Sequence, residues 1–121
     1  MVMTAHVFNK NLDAEYPATL SEKVINGVLR GDLGWKGVVI SDDMHMGAIT
    51  ENYGLEDAIE KSLNAGVDIL VFANNNGRFY DGDATSKAIA IIKKLIDEEK
   101  VSMERIEESL SRIDALKGKL M

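Results

Sequence analysis

The chain has 121 residues, of which 45% are hydrophobic and 28% charged, which fits one modest folded domain and excludes both a two-domain protein and a disordered one. Its formal net charge is -6 without a lysine or arginine cluster, which argues against nucleic acid as a partner. Cysteine is absent, which excludes disulfides, a thiolate nucleophile and zinc–cysteine sites, and no apolar run approaches the roughly 18 residues that span a bilayer.

The cellular compartment stays open, because a cysteine-free protein is compatible with either redox environment. The first residues lack the basic region and apolar core of a signal peptide, which slightly favours the cytoplasm. We expect no association with membranes.

Three short apolar runs alternate with helical patterns. The runs cover residues 2–7, 37–41 and 67–73. Alternation of this kind predicts an α/β fold in which parallel strands are connected by helices. Because the runs are apolar throughout, both faces of the sheet are expected to be covered.

The first two helices have recognisable start and stop signals. Thr19 and Glu22 are spaced as a capping box, and Gly31 interrupts the apolar periodicity that follows. A second helix is predicted over residues 55–64, with Gly66 as a left-handed stop before the third strand.

Two further helices close the chain. Thr85 or Ser86 is expected to cap the third helix and Ser102 the last one, where Glu108 and Arg112 are expected to pair on the outer surface. One apolar stripe lines the last helix: Ile106, Leu110, Ile113 and Leu116.

The number of strands raises a difficulty. Three parallel strands have two open edges that expose unpaired backbone groups, and helices that cover the faces cannot also close the edges. The chain is therefore either a compact three-stranded sandwich or part of a larger barrel or sheet. In the second case, the remaining strands come from missing sequence or from another copy.

The candidate site begins where the second strand ends, at Ser41, Asp42 and Asp43. Parallel sheets place working groups at the carboxyl ends of their strands, and two adjacent carboxylates are costly to keep there. Successive strand side chains point to opposite faces, so one aspartate is expected to be structural. Capping of the following turn is the alternative role, more so for Asp43 than for Asp42.

Other polar residues are expected on the same rim. His6 follows the first strand and Asn74 the third, although a structural histidine and an asparagine-rich turn are the commoner explanations. Trp35 is expected to be a packing anchor rather than a sugar platform. His45 near the two aspartates is a weak metal pattern, and no glycine pattern of nucleotide-binding type is present. We expect neither a metal nor a cofactor.

Four stretches of the chain, which together with their spacing extend over nearly its whole length, carry a family resemblance. They are residues 2–7, 17–21, 29–46 and 65–70. The long central stretch, which contains Ser41-Asp42-Asp43-Met44, is the most specific. In order and spacing these stretches resemble glycoside hydrolase family 3, and within it the β-N-acetylhexosaminidase branch.

The resemblance implies a (β/α)8 TIM barrel, of which this chain matches the last three strands and the closing helices, so that residues 1–121 form a single partial domain. It also implies that Asp42 is the nucleophile of a retaining mechanism. Met46 is implied to line the sugar pocket, and His6 and Asn74 to lie near it. The implied substrate is a carbohydrate with a terminal β-linked N-acetylglucosamine.

One part of the family pattern has no counterpart here. The family's general acid/base histidine lies in a Lys-His-Phe-Pro-Gly-His-Gly-like loop upstream of the matching region, and the sugar-recognising Arg and Lys also lie upstream. We therefore expect little or no turnover from this chain alone. Loss of a general acid costs roughly 10²–10⁴-fold in rate.

Two other functions stay open. The open edges suggest a non-catalytic structural module that forms a homo-oligomer or complements a missing N-terminal half. A phospho-accepting receiver domain fits the length and Asp42, but residues 2–9 lack the acidic pair that such a domain needs for magnesium.

Overall fold

The structure of the protein is a computed structural model that describes residues 1–73 and 82–120. The strands are β1 (Val2–Met3), β2 (Val39–Asp43) and β3 (Ile69–Val71). The α-helices are α1 (Gly47–Thr50), α2 (Leu55–Ala65), α3 (Ala84–Asp97) and α4 (Met103–Leu120). Between β1 and β2 the chain forms a 3₁₀ turn (Ala18–Leu20) and a π-helix (Lys23–Asp32).

The strands form one parallel sheet in the order β1-β2-β3, which confirms the predicted α/β architecture. β1 is shorter than the predicted run 2–7, because only one further backbone bond, from Thr4 N–H to Ile40 O at 2.8 Å, continues the pairing beyond Met3. β2 extends through Asp43, so both aspartates belong to the strand itself. The pairing of β2 with β3 is irregular between Ile40 and Asp43.

The segment after β1 differs from the predicted helix. The capping box at Thr19 is wrong, because the hydroxyl of Thr19 is engaged at the end of β1 instead. Ser21 takes over the start of the helix, where its hydroxyl accepts the N–H of Val24 at 3.1 Å. The helix then runs through Gly31 to Asp32, and its bonds include the i+5 contact typical of a π-helix.

Two helix ends lie where the sequence predicts them, the end of α2 and the start of α4. α2 ends at Gly66, which adopts φ 113° and so has the left-handed conformation expected there. The hydroxyl of Ser102 accepts the N–H of Arg105 at 3.1 Å and caps α4. The predicted caps of the third helix are wrong, because α3 begins at Ala84, after Asp83, and both Thr85 and Ser86 lie inside it.

The core lies between the sheet and the helices in three neighbouring clusters. Leu70 of β3 packs against all three of them. The apolar stripe of α4 is covered only in part, since Ile106 packs on the core whereas Leu110 is 53% exposed. No α-helix in the described ranges is long and apolar enough to cross a membrane.

A buried aspartate ties α4 to the sheet. The Asp68 carboxylate lies 2.8 Å from both Arg30 Nη2 and Arg112 Nη1, and it accepts the hydroxyl of Ser109 at 2.7 Å. The predicted contact of Arg112 with Glu108 exists at 3.7 Å. The prediction that Arg112 lies on the outside is nevertheless wrong, because its closer partner is 44 residues away in the sequence.

Candidate active site

Asp43 is held by hydrogen bonds from three directions. Its N–H donates to Asp42 Oδ1 at 2.8 Å, and its own Oδ1 accepts the N–H groups of His45 and Ala73, both at 3.0 Å. Its carbonyl oxygen accepts His6 Nε2–H at 2.7 Å. Asp43 is therefore the structural member of the acidic pair, with its side chain capping the turn that follows β2.

Asp42 has a different environment. It is half-buried at the carboxyl end of β2, and one of its oxygens accepts the Asp43 N–H. Within residues 1–73 and 82–120, no second donor lies within hydrogen-bond distance of its carboxylate, so the other oxygen is available to a ligand. A carboxylate oxygen without a protein donor is chemically able to act as a nucleophile or to bind a ligand.

His6 lies at the same end of the sheet, as predicted from its position after β1. Nε2 contacts the carbonyl oxygen of Asp43, and Nδ1 lies 2.9 Å from the hydroxyl of Thr19. Thr19 is fully buried and lies 2.9 Å from the hydroxyl of Thr4. Both ring nitrogens of His6 are therefore engaged by the protein.

The sequence interpretation missed Thr4 and Thr19. Thr4 is a polar residue inside an apolar run and lies two positions from His6, so an extended chain places both on one side. The spacing of Thr4 and His6 could therefore have identified Thr4 as a neighbour of His6. Nothing local marks Thr19, because its spacing to Glu22 fits a capping box equally well.

The remaining candidates are distributed as follows. Met46 is 42% exposed just after the acidic pair, and Asn74 lies outside the described residues. The ring of His45 packs edge-on against Phe72, with 5.4 Å between ring centroids. Trp35 packs beside a core cluster, as expected of an anchor. In the described part of the chain, no three histidine, aspartate or glutamate side chains are grouped closely enough to hold a metal ion.

Two clefts formed by described residues lie away from Asp42. One of about 670 Å³ is formed on the outer side between the π-helix and α2, where Lys61 Nζ lies 5.3 Å from the centre of the Tyr16 ring. Another, of about 440 Å³, lies between β3, α3 and α4.

Comparison with known proteins places the chain in a family. The family model described as "Glycosyl hydrolase family 3 N terminal domain" matches residues 1–116. Beta-hexosaminidase A of Pseudoalteromonas piscicida is 30% identical over 99% of this chain, which spans 22% of the length of that protein.

Two solved structures are also similar. The beta-N-acetylglucosaminidase from Thermotoga maritima has 35% identity and a TM-score of 0.84. The match covers 94% of this chain and 24% of the Thermotoga chain. The glycoside hydrolase family 3 beta-N-acetylglucosaminidase from Paenibacillus sp. str. FPU-7 has 35% identity and a TM-score of 0.86. The match covers 97% of this chain and 21% of the Paenibacillus chain. Together with the family match, these similarities replace the receiver-domain alternative: the chain belongs to glycoside hydrolase family 3.

Proposed function

We propose that this chain carries the nucleophile of a retaining β-N-acetylglucosaminidase active site. In this proposal, residues 1–121 are a partial domain that forms the last three strands and closing helices of a (β/α)8 barrel. The similarity to solved β-N-acetylglucosaminidases over about a quarter of their length supports it. The observation that carries the proposal is the different use of the two carboxylates: Asp43 Oδ1 accepts two backbone N–H groups that close the turn after β2, whereas Asp42 accepts a single N–H from a donor among the described residues.

The proposed chemistry proceeds in two steps. The free oxygen of Asp42 bonds to the anomeric carbon of a terminal β-linked N-acetylglucosamine, and the bond to the leaving-group oxygen breaks with its electron pair on that oxygen. Water then attacks the same carbon, the bond to Asp42 breaks with its electron pair on the carboxylate, and the proton that the water loses passes to solvent. The N–H of Asp43 orients the carboxylate by holding its second oxygen at 2.8 Å.

The leaving group also requires a proton, and neither histidine of the chain is placed to give one. Both nitrogens of His6 contact protein groups, and the ring of His45 packs on Phe72. We therefore propose that the acid is supplied from outside this chain and that the chain alone has little or no turnover. We further propose that Met46 lines the sugar pocket, with His6 and Asn74 near it.

The test separates the nucleophile from the acid by the choice of leaving group. A 2,4-dinitrophenyl N-acetyl-β-glucosaminide needs no protonation, so we expect a glycosyl ester on Asp42, detected by mass spectrometry of peptides. Asp42→Asn should abolish the label, whereas Asp97→Asn, at an exposed site on α3, should keep it. Labelling of another residue, or no labelling, contradicts the role of Asp42.

The phenyl glycoside tests the missing acid. Its leaving group requires protonation, so we expect no release above background from the chain alone. Phenol release at a rate that disappears in Asp42→Asn would show that the chain is active by itself.

A second function, as a module that complements a partner or associates with itself, is supported by the surface beside the sheet edges. Met3 in β1 and Val7 and Phe8 after it are 55% to 62% exposed. At the other edge, Ile89 and Leu110 line the 440 Å³ cleft next to β3 and are at least half exposed. Light scattering over a concentration series tests self-association, and a clean monomer at high concentration counts against it.

A further inference from the structure

We infer that His6 is a positioning residue, which holds the end of β2 and through it the carboxylate of Asp42. In this role it acts neither as acid nor base and does not bind the sugar. The inference rests on the proposed function of Asp42. It follows from the contacts of His6, Thr19 and Asp43, which form a connected set that we call the His6 clamp.

The proton positions in the clamp follow from its acceptors. The carbonyl oxygen of Asp43 only accepts, so Nε2 of His6 carries the hydrogen across the 2.7 Å contact. In the neutral ring, Nδ1 then accepts the hydroxyl of Thr19 at 2.9 Å, and Thr19 accepts the hydroxyl of Thr4. If Nδ1 is protonated, Thr19 accepts from it and turns its hydrogen to Ala5 O at 3.1 Å. Nε2–H keeps its bond to Asp43 in both states.

The imidazole cannot easily leave this position. Rotation of the ring would break both of its hydrogen bonds, to the Thr19 hydroxyl and to the Asp43 carbonyl, and Thr19 on its inner side is fully buried. A sugar hydroxyl that competed for Nε2 would have to displace the Asp43 carbonyl. The clamp therefore holds the imidazole of His6 in place and keeps both of its nitrogens from binding a ligand.

Two bonds connect the clamp to Asp42. The carbonyl of Asp43 accepts both His6 Nε2–H and the N–H of Met46, at 2.7 and 3.1 Å, which fixes the peptide that follows the acidic pair. The N–H of Asp43 is the donor that holds Asp42 Oδ1. Loss of the His6 bond should therefore loosen the orientation of the Asp42 carboxylate.

The first measurement is made on the intact chain without any sugar. Nitrogen-15 NMR should show Nε2 protonated and Nδ1 unprotonated in neutral His6. The opposite tautomer, with hydrogen on Nδ1, would overturn the inference.

The second measurement is amide hydrogen exchange in four chains. His6→Phe should raise the exchange rate of the Asp43 amide about 10-fold, as expected for the loss of about one hydrogen bond. His6→Gln, which keeps an N–H donor, should restore protection. His45→Phe, in the same turn, is the matched control and should leave it unchanged.

The Val39 amide reports on the rest of the fold, because it donates to Asp68 Oδ2 at 2.9 Å. If Asp43 and Val39 lose protection together, His6 has only a general structural role and the inference fails. An unchanged Asp43 amide in His6→Phe also overturns it. Asp42 labelling by the dinitrophenyl glycoside should slow about 10-fold in His6→Phe. If the unmodified chain is not labelled, the proposed role of Asp42 as nucleophile is refuted. The inference about His6 is not affected by that result, because the NMR and exchange measurements do not depend on sugar chemistry.

Discussion

The substitution Asp68→Asn should destabilise this protein more than most surface changes, because it removes the buried negative charge that three partly buried arginines share. The Asp68 side chain has 0% exposure, and those of Arg30, Arg105 and Arg112 have 11%, 12% and 23%. The N–H of Val39 and the hydroxyl of Ser109 also donate to it, at 2.9 and 2.7 Å. The amide nitrogen of an asparagine would face some of these donors without an acceptor.

The expected magnitude follows from the burial. Removal of one partner from a buried ion pair costs about 3–5 kcal/mol, out of a total unfolding free energy of about 5–15 kcal/mol for a domain. For a chain of this size the melting temperature should fall by about 10–25 °C. Urea unfolding followed by circular dichroism measures the loss directly.

The matched control is Asp57→Asn. Asp57 forms an ion pair with Lys61 at 2.6 Å, but the two side chains are 45% and 27% exposed. Solvent screening limits such a pair to about 0.2–1 kcal/mol. If Asp68→Asn costs no more than Asp57→Asn, the reasoning from burial is refuted.

Three further predictions concern stability. Burial raises the pKa of Asp68. The hydrogen bonds from Val39, Ser109 and Arg112 together lower that pKa by more than burial raises it, so the folded pKa is below that of the unfolded chain. The stability contributed by Asp68 is therefore complete above about pH 4 and lost as pH falls through the folded pKa, and urea unfolding of Asp68→Asn should show a weaker dependence on pH in that acid range. Gly66→Ala, at φ 113° and against the Asn26 side chain, should cost at least about 1–2 kcal/mol in urea unfolding, whereas Gly118→Ala in open space on α4 should stabilise by about 0.5–1 kcal/mol; equal effects contradict the conformational argument. Thr19→Val should cost about 1–3 kcal/mol, since Thr4 loses its buried partner, and a neutral result would show that the clamp contributes nothing to stability.

Features with a local physical cause were predictable from the sequence. Alternation of apolar runs and helical patterns gave the parallel sheet, and Gly66 and Ser102 marked helix ends because their effects act within one turn. The alternation of strand side chains also predicted different environments for Asp42 and Asp43, and Asp43 indeed accepts the N–H groups of His45 and Ala73.

Features that depend on distant partners were not predictable. Thr19 has the spacing of a capping residue, but it forms bonds with side chains 13 and 15 positions earlier. Arg112 has a local partner in Glu108, yet the stronger attraction comes from a carboxylate that only the folded sheet brings near. The irregular end of β2 also had no signal, because it arises from the pairing of two strands.

That irregularity is a β-bulge. Between the paired positions Ile40↔Ile69 and Asp43↔Val71, β2 contains one more residue than β3. Ser41 compensates for the interrupted ladder, because its hydroxyl accepts the N–H of Val71 at 2.9 Å. The bulge therefore contains Asp42, and it changes the alternation of side chains within the acidic pair itself. A change in the length of β2 between Ile40 and Asp43 would therefore disturb the orientation of Asp42 itself, whereas changes in length beyond the turn would leave this bulge intact.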